Sequence, residues 1–263
     1  MNLHLQNRVA AVAGASGGLG YASALTLAQE GCRVGICARR PAKLEAAAQA
    51  IRDATGAEVF AIPLDMGKPG SPRLFIQAVA EQFGQLDIVV ANAGGPPSGK
   101  FADMSDDQWQ HAVDLNLLST VAMFHEALPH VIASDQGRLI AVTSISAKQP
   151  LESLVLSNAT RAGVHGVIKT LSREIADTGT TVNAVCPGLT RTDRLTELAQ
   201  QTADREGISL DEAFAKRAAG VPMGRLGDPM EFGAAVAYLC SKQAAFTSGV
   251  ALPVDGGFLA GLP

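Results

Sequence analysis

Short apolar runs alternate with amphipathic stretches of helical length, and this alternation restricts the possible folds more than any other feature. We predict strands at 8–14, 33–38, 58–64, 86–91, 138–144, 181–186 and 250–254. We predict helices near 18–30, 41–54, 69–83, 107–133, 151–177 and 229–241. Continuous apolar strands joined by helical crossovers are typical of a parallel sheet with helices on both faces. The sequence therefore predicts an α/β doubly wound fold.

No linker, repeat or low-complexity tract divides the 263 residues, and 47% of them are hydrophobic. A chain of this length and composition can bury one large core. We therefore predict a single domain over 1–263, interrupted by one long polar stretch at about 189–228. A stretch of this length inside a compact domain is often a binding segment. We expect it to form a lid over the substrate.

Charge and composition restrict the partners. The net charge is −4 and only 17% of residues are charged, so nucleic acid is not expected as a partner and part of the surface is expected to be buried in a homo-oligomer. No uninterrupted apolar segment approaches the roughly 18 residues of a membrane span, and the N-terminus lacks the pattern of a signal peptide. We expect no membrane association and a cytoplasmic location.

The four cysteines are Cys32, Cys37, Cys186 and Cys240, and their spacing matches no metal-site pattern. We expect buried, reduced thiols and no bound metal.

The stretch "GASGGLG" (14–20) follows the first predicted strand and opens the first helix. Gly14 allows a tight turn, while Gly18 and Gly20 allow the backbone to approach a pyrophosphate at the helix N-terminus. Ser16 and Leu19 belong to the same predicted nucleotide site. The spacing differs from the common G-x-G-x-x-G, and an ordinary strand–helix loop remains the alternative interpretation.

The second strand ends in "CARRPAKL". A site for NAD usually has an acidic residue here to bind the ribose 2′-hydroxyl. This chain instead has Arg39 and Arg40, which suit a 2′-phosphate. The pair predicts a preference for NADP(H) over NAD(H), although two solvated cations at a helix start would look the same.

Further candidate residues follow the ends of other predicted strands, where ligands bind in open α/β sheets. Asp65 and Met66 are expected near the adenine, and Asn92, Ala93 and Gly94 near a ribose. Asn116 lies inside a predicted helix, where asparagine is not favoured. Ser144 ends the fifth strand. The remaining candidates come from "NAVCPGLTRT" and are Pro187, Gly188, Thr190 and Thr192.

Taken together, these motifs resemble the short-chain dehydrogenase/reductase family over the whole chain. The resemblance rests on "GASGGLG", "LDMG", "ANAG", "VDLN", "TSIS", "NAVCPGLTRT" and the C-terminal stretch from "RLGDP" to "VDGG". It implies seven strands in the order 3-2-1-4-5-6-7, a bound NAD(H) or NADP(H), and commonly a homotetramer built through two long helices. It also implies a catalytic Asn and Ser, matched by Asn116 and Ser144, and a Tyr-x-x-x-Lys pair.

The Tyr and Lys positions fall on Ser157 and Arg161, because the family's Tyr lies 13 residues after its Ser. A serine hydroxyl is a far weaker acid than a phenol beside an ammonium. A guanidinium keeps its positive charge but does not give up a proton at neutral pH. We therefore expect both residues to face the nicotinamide half of the cleft without acting as the usual acid pair.

Other residues could supply the acid, and Lys148 and Glu152 are better candidates than the tyrosines or His165. Tyr21 and Tyr238 are the only tyrosines. Lys148 and Glu152 lie between Ser144 and Ser157, and His165 follows one turn after Arg161; each also reads as a solvated or packed side chain. Gly163 and Gly166 favour close packing of helices between subunits.

Three functions remain open at this point. The first is an NADP(H)-dependent reductase or dehydrogenase acting on a carbonyl or an alcohol with an altered acid–base set. The second is a nucleotide-binding protein that senses or assembles without catalysis. The third is a non-redox reaction, such as elimination or isomerisation, on the same fold.

Overall fold

A computed structural model describes residues 2–261, which form a seven-stranded parallel sheet with helices on both faces. Its strand order is β3-β2-β1-β4-β5-β6-β7, as expected. The strands are β1 (Val9–Ala13), β2 (Arg33–Ala38), β3 (Val59–Pro63), β4 (Ile88–Ala91), β5 (Arg138–Val142), β6 (Thr181–Pro187) and β7 (Ala251–Val254). All seven predicted strands are present, with ends shifted by one or two residues.

Two helical layers cover the sheet. The helices are α1 (Gly18–Gln29), α2 (Pro41–Thr55), α3 (Ser71–Phe83), α4 (Asp106–Ala112), α5 (Ser119–Ala133), α6 (Val155–Glu174), α7 (Asp193–Glu206), α8 (Leu210–Ala219) and α9 (Pro229–Cys240). Alternate residues of β1 point to the two layers: Ala10 and Val12 enter the core under α1, α2 and α9, while Ala11 and Ala13 enter the core under α3, α5 and α6. Both faces of the sheet are therefore buried, which explains why the strands are apolar without alternation.

Local signals set the helix ends. Proline occupies the start of α2 and α9, where its missing N–H costs nothing. Asp228 and Glu231 form a capping box at the start of α9. Gly56 and Gly84 end α2 and α3 in the left-handed conformation. The ends of these helices are thus set by residues that act within their own helix.

The single helix predicted over 107–133 is wrong in detail. The chain forms α4, then a π-helical segment at Val113–Leu118, and then α5. Within the wider turn, the hydroxyls of Ser119 and Thr120 donate to the carbonyls of Leu115 and Asn116. Such side-chain bonds compete with the regular ladder, and π segments are frequent at functional sites.

The helix predicted over 151–177 is shorter in the structure. It begins only at Val155, because Ser153 adopts a positive φ of 58° just before it. It ends at Glu174, and a short 3₁₀ turn at Ala176–Thr178 replaces its last residues.

The polar stretch 189–228 forms the helices α7 and α8 with a small core of their own, in which Ala199, Ala203 and Ala213 are buried. Its two ends are tied together, because the N–H of Arg191 donates to Gly227 O and the N–H of Gly227 donates to Leu189 O. We refer to residues 189–228 as the lid segment. Its motion remains a prediction.

None of the helices described within 2–261 has both the length and the apolar character needed to cross a membrane. The four cysteines are buried and free, as expected. The C-terminal stretch 256–263 is apolar, and such a stretch predicts packing on a neighbouring subunit. Its residues 262 and 263 lie outside the described residues. The N–H of Ala260 donates to the Gln149 side chain of the same chain at 3.4 Å.

Candidate active site

The glycine-rich turn lies between β1 and α1 and has no room for side chains. Gly14 has a φ of +61°, and a Cβ on it would lie 2.7 Å from Asn92 Nδ2. A Cβ on Gly20 would lie 2.3 Å from Gly14 O. The N-cap residue of α1, Gly17, provides no side-chain cap, so the first N–H groups of the helix are left for another acceptor. The turn fits the phosphates of a dinucleotide.

Asn92 holds this turn from the end of β4. Its Nδ2 donates to Ala13 O at 3.1 Å and to Gly14 O at 3.3 Å. Its amide nitrogen therefore helps to shape the turn, and a contact of Asn92 with a ribose remains a prediction. The neighbouring Ala93 is half-buried and Gly94 is exposed, so their backbone stays accessible at the strand end.

The end of β3 offers a second edge to the cleft. Asp65 Oδ1 accepts a hydrogen bond from Gly67 N at 3.1 Å, which closes a local turn, and Met66 is buried. Asp65 itself is half-buried. This turn keeps the Asp65 carboxylate at the carboxyl end of the sheet.

Three cationic side chains lie between the end of β2 and the first turn of α2. Arg39 and Arg40 are exposed immediately before Pro41, and Lys43 follows within the first turn of α2. Lys43 Nζ lies 3.4 Å from the position that a Cβ on Gly17 would take, so its ammonium sits beside the glycine-rich turn. Sequence reasoning missed Lys43, although it stands three residues after the arginine pair.

The end of β6 brings a third segment to the same edge. Gly188 has no room for a side chain, because a Cβ would lie 2.7 Å from Asp255 Cα. Pro187 and Gly188 are half-buried and Thr190 is buried. The Thr192 hydroxyl caps α7 by accepting from Leu195 N at 3.3 Å. Its methyl group lies 3.4 Å from the Cβ position of Gly18, so the lid segment starts directly on the glycine-rich turn.

Three serines are connected beside this cleft. Ser144 Oγ, after β5, accepts from Ser146 N at 3.0 Å, so its own hydroxyl proton remains free to be donated. Ser146 Oγ lies 3.2 Å from Ser157 Oγ on α6. The two hydroxyls are buried, and either can be the donor. Sequence reasoning missed Ser146, which belongs to the same "TSIS" motif as Ser144.

Arg161 lies one turn after Ser157 on α6, as the spacing predicts. Its Nη1 donates to Val142 O at 2.9 Å, and the residue is only 9% exposed. Within residues 2–261, no carboxylate lies within ion-pair distance of it. Burial lowers the pKa of Arg161 to about 10, so the guanidinium is still cationic at pH 7.

Asn116 lies in the π-helical segment, which packs against α6. It is 4% exposed, and among the described residues neither its Oδ1 nor its Nδ2 has a hydrogen-bond partner. A buried amide without partners is costly, so a water or a ligand group is expected to complete it. The Asn116 amide next to α6 is therefore available to bind a water or a ligand group.

His165, a candidate acid in the sequence, contacts the strand ends instead of standing free. Its Nε2 lies 3.0 Å from Thr143 Oγ1 and 3.6 Å from Cys186 Sγ. Burial, together with the charges of Lys148 and Arg161, lowers the pKa of His165. Burial raises the pKa of Cys186. The two groups are therefore neutral imidazole and thiol at pH 7, packed behind Ser144.

The remaining candidate acids are placed less well. Tyr21 lies in α1 and packs on the core. Tyr238 lies near the C-terminal end of α9. Ser241, just after α9, accepts a hydrogen bond from Arg138 at the start of β5, so Tyr238 lies toward the amino ends of the strands, away from the cleft. Glu152 is exposed, and Lys148 is half-buried.

Gly163 lies against the π-helical segment of its own chain, since a Cβ there would be 3.4 Å from Leu117. Among the described residues, nothing lies within 4 Å of the position that a Cβ on Gly166 would take. Packing of these two glycines between subunits remains a prediction.

A cavity of about 360 Å³ lies beside the carboxyl end of β7, between Thr190, Val221, Arg225, Glu231 and Asp255. Neither the serine cluster nor Arg161 contributes to its lining. This cavity is therefore separate from the three connected serines and from Arg161.

Comparisons with known proteins agree with this geometry. The family described as Enoyl-(Acyl carrier protein) reductase matches residues 14–259. The 3-oxoacyl-(acyl-carrier-protein) reductase FabG of Vibrio cholerae is 35% identical over 255 residues, which are 97% of this chain and 98% of that protein.

Two solved structures are similar over nearly their whole length. L-sorbose reductase from Gluconobacter frateurii, complexed with NADPH and L-sorbose, has a TM-score of 0.96 at 29% identity, with both chains covered to 100%. Actinorhodin polyketide ketoreductase with NADPH has a TM-score of 0.90 at 34% identity, covering 96% of this chain and 97% of that one. By sequence, by strand order and by the placement of its glycine-rich turn, this chain belongs to the short-chain dehydrogenase/reductase family.

Proposed function

We propose that this protein is an NADP(H)-dependent oxidoreductase that interconverts a carbonyl and an alcohol with an atypical acid–base set. The observation that carries the proposal is the glycine-rich turn, which has no room for a Cβ at Gly14 or Gly20 and has the Lys43 ammonium beside it. Arg39 and Arg40 are exposed in the segment just before Lys43. The related FabG is named as a 3-oxoacyl reductase, and two similar structures contain NADPH. A nucleotide phosphate fits both the turn and the cations.

When bound, the nicotinamide ring would supply or accept the hydride. The residues that would hold the nucleotide are those of the glycine-rich turn, the arginine pair, Asp65 with Met66, the backbone of 92–94, and the segment with Pro187, Gly188, Thr190 and Thr192. The chain's own side chains must then orient the substrate oxygen and manage its charge.

Ser144 is the residue we assign to the substrate oxygen. Its Oγ already accepts from Ser146 N, so its proton can be donated into the cleft. Ser157 extends this arrangement through Ser146 Oγ. Neither hydroxyl is acidic enough to protonate an alkoxide as a phenol would, so we propose that they orient the oxygen while water delivers the proton.

Arg161 supplies positive charge without a transferable proton. Its guanidinium is buried, has no carboxylate partner among the described residues and remains charged at pH 7. Positive charge in a region of low dielectric stabilises a developing oxyanion. Asn116, with its unpaired amide, is placed to hold the water that we expect in this part of the site.

The test is NADPH consumption by the purified protein with a 3-oxoacyl thioester and with ketoses. We expect substrate-dependent oxidation of NADPH, and its loss in Ser144→Ala with nucleotide binding retained. Ser248→Ala is a suitable control, because Ser248 is exposed and its Oγ accepts a hydrogen bond from Val182 N in β6, outside the proposed site. If no carbonyl compound accelerates NADPH oxidation although the nucleotide binds, the proposal is wrong.

A nucleotide-binding protein without catalysis is the second candidate. It is favoured by the internal bonding of Ser157 to Ser146 and of Arg161 to Val142, which leaves no acid in the position of a proton donor. Tight NADPH binding with no turnover would support this candidate. Turnover of a substrate without net change of nicotinamide would instead support a non-redox reaction.

We also propose a homo-oligomer, most simply a tetramer. Exposed apolar side chains support this assembly: Tyr238 and Met230 on α9, Val250 before β7, and Ile132 on α5. Sedimentation at micromolar concentration should give a species larger than a monomer, and a monomer would contradict the proposal.

A further inference from the structure

An ion pair spans the entrance to the nucleotide cleft. Lys43 Nζ, in the first turn of α2, contacts Asp193 Oδ2, and Asp193 is the first residue of α7 in the lid segment. Both groups lie against the glycine-rich turn, because Lys43 Nζ and Asp193 Oδ2 are 3.4 and 3.6 Å from the Cβ position of Gly17. The pair therefore connects the lid segment to the helix that follows the arginine pair.

Without Asp193, the cations at the start of α2 would lack the carboxylate that pairs with Lys43. Arg39, Arg40 and Lys43 stand within five consecutive positions, and Asp193 is the carboxylate that Lys43 binds. The bond to Lys43 and the charge of Arg40 hold the pKa of Asp193 below its usual range. A carboxylate from the lid segment thus occupies the cationic region that suits a phosphate.

We propose that Asp193 is an internal counter-ion that the 2′-phosphate of the nucleotide displaces from Lys43. The inference rests on the proposed preference for NADP(H). A phosphate monoester carries up to two charges and three acceptor oxygens, against one charge on a carboxylate. When a nucleotide with a 2′-phosphate binds, Lys43 exchanges the Asp193 carboxylate for this more highly charged anion. NAD(H) has no such phosphate and leaves the Lys43–Asp193 pair in place. Asp193 thereby affects the preference for NADP(H) over NAD(H), although it does not belong to the arginine pair.

The expected effect is modest, because Lys43 and Asp193 keep 37% and 73% of their side-chain surface exposed. Exposed ion pairs contribute little, so removing the competing carboxylate should strengthen NADPH binding by about two- to fivefold. The affinity for NADH should change less, because nothing in NADH requires Lys43 to be released.

The experiment is a set of titrations of Asp193→Asn with NADPH, NADH, 2′,5′-ADP and 5′-AMP. We expect tighter binding of NADPH and 2′,5′-ADP, and little change for NADH and 5′-AMP, which also shows that the variant is folded. Glu197→Gln is the matched control, since it removes the same charge from the same helix but from a pair with Arg194 at 3.5 Å. It should leave all four affinities unchanged.

A double-mutant cycle separates displacement from simple repulsion. If Asp193 acts by occupying Lys43, the gain from Asp193→Asn should shrink in the Lys43→Gln background. An undiminished gain, or an equal gain for NADPH and NADH, would overturn the inference. Equal affinities of the unmodified protein for NADPH and NADH would overturn the proposed NADP(H) preference itself. A clear preference that Asp193→Asn leaves unchanged would overturn only the role of Asp193.

Discussion

The two halves of the cleft differ in what they demand of the chain. In the nucleotide half, the glycine-rich turn depends on absent side chains, and a single Cβ on Gly20 would collide with Gly14 O. In the other half, which we call the catalytic half after its proposed role, α6 carries Ser157 and Arg161 in a regular helix, where the backbone does not require a particular residue type. The backbone geometry of the glycine-rich turn therefore restricts the nucleotide half. In the other half, substitutions at Ser157 and Arg161 alone can change the acid–base chemistry.

The largest expected effect comes from the catalytic half. Ser157→Tyr combined with Arg161→Lys should raise the rate of carbonyl reduction by about 10²- to 10⁴-fold, the usual contribution of a general acid. The reason is that a phenol beside an ammonium can protonate the alkoxide directly. Steady-state kinetics with NADPH and a small ketone measure this.

Ser157→Phe with Arg161→Lys is the matched control, because it adds the ring without the hydroxyl. It should show no comparable gain. A gain as large with phenylalanine would mean that the ring's shape matters and that the proton comes from another group.

The second prediction concerns the nucleotide half. Gly20→Ala should weaken NADPH binding by at least tenfold and destabilise the fold by about 1–3 kcal/mol, because the new methyl would overlap a backbone oxygen. A nucleotide titration and thermal unfolding measure both effects. Gly166→Ala, where a Cβ meets nothing within 4 Å, should not weaken either. Unchanged NADPH affinity in Gly20→Ala would refute the assigned role of the turn.

The third prediction concerns the cations beside the turn. Arg39→Ala should reduce the ratio of NADPH to NADH affinity by about tenfold, since hydrogen bonds to charged groups contribute roughly 1.5–3 kcal/mol. Competition titrations at low and high salt measure the ratio, and salt should weaken the preference. Arg173→Ala removes an exposed cation from the last turn of α6 and is the control. The prediction fails if the two variants behave alike.

The smallest effect is expected at His165, which contacts Thr143 and Cys186. Its pKa is lowered in the folded protein, so the unfolded chain binds a proton that the folded chain does not. Stability is therefore highest above the unfolded pKa near 6.5 and falls as the pH drops below it. Thermal melts at pH 7.5 and pH 5.5 should show a loss in the unmodified protein that is about 1–3 °C smaller in His165→Gln.

His130→Gln is the control, because His130 is exposed on α5 and its replacement tests the effect of losing a histidine at another site. If His165→Gln and the unmodified protein lose the same stability between the two pH values, His165 does not titrate as its surroundings indicate.

Sequence reasoning predicted the frame of the site better than its side-chain contacts. The strand ends, and hence the cleft at the carboxyl ends of the strands, follow from apolar runs of strand length separated by helical stretches. The same reasoning did not predict that the Asn92 amide would donate to Ala13 O and Gly14 O. Hydrogen bonds between residues 78 or 79 positions apart leave no trace in the local pattern.

The sequence by itself determined the α/β alternation, the glycine-rich turn and the identities of Ser157 and Arg161, because these depend on local periodicity and residue type. Tertiary structure decided the rest: the π-helical segment around Asn116, the three connected serines, the contact of His165 with Thr143 and Cys186, and the pairing of Lys43 with Asp193. Each of these joins side chains from elements that only the folded sheet brings together. Their distances and burial, on which their hydrogen bonds and charges depend, exist only in the folded chain.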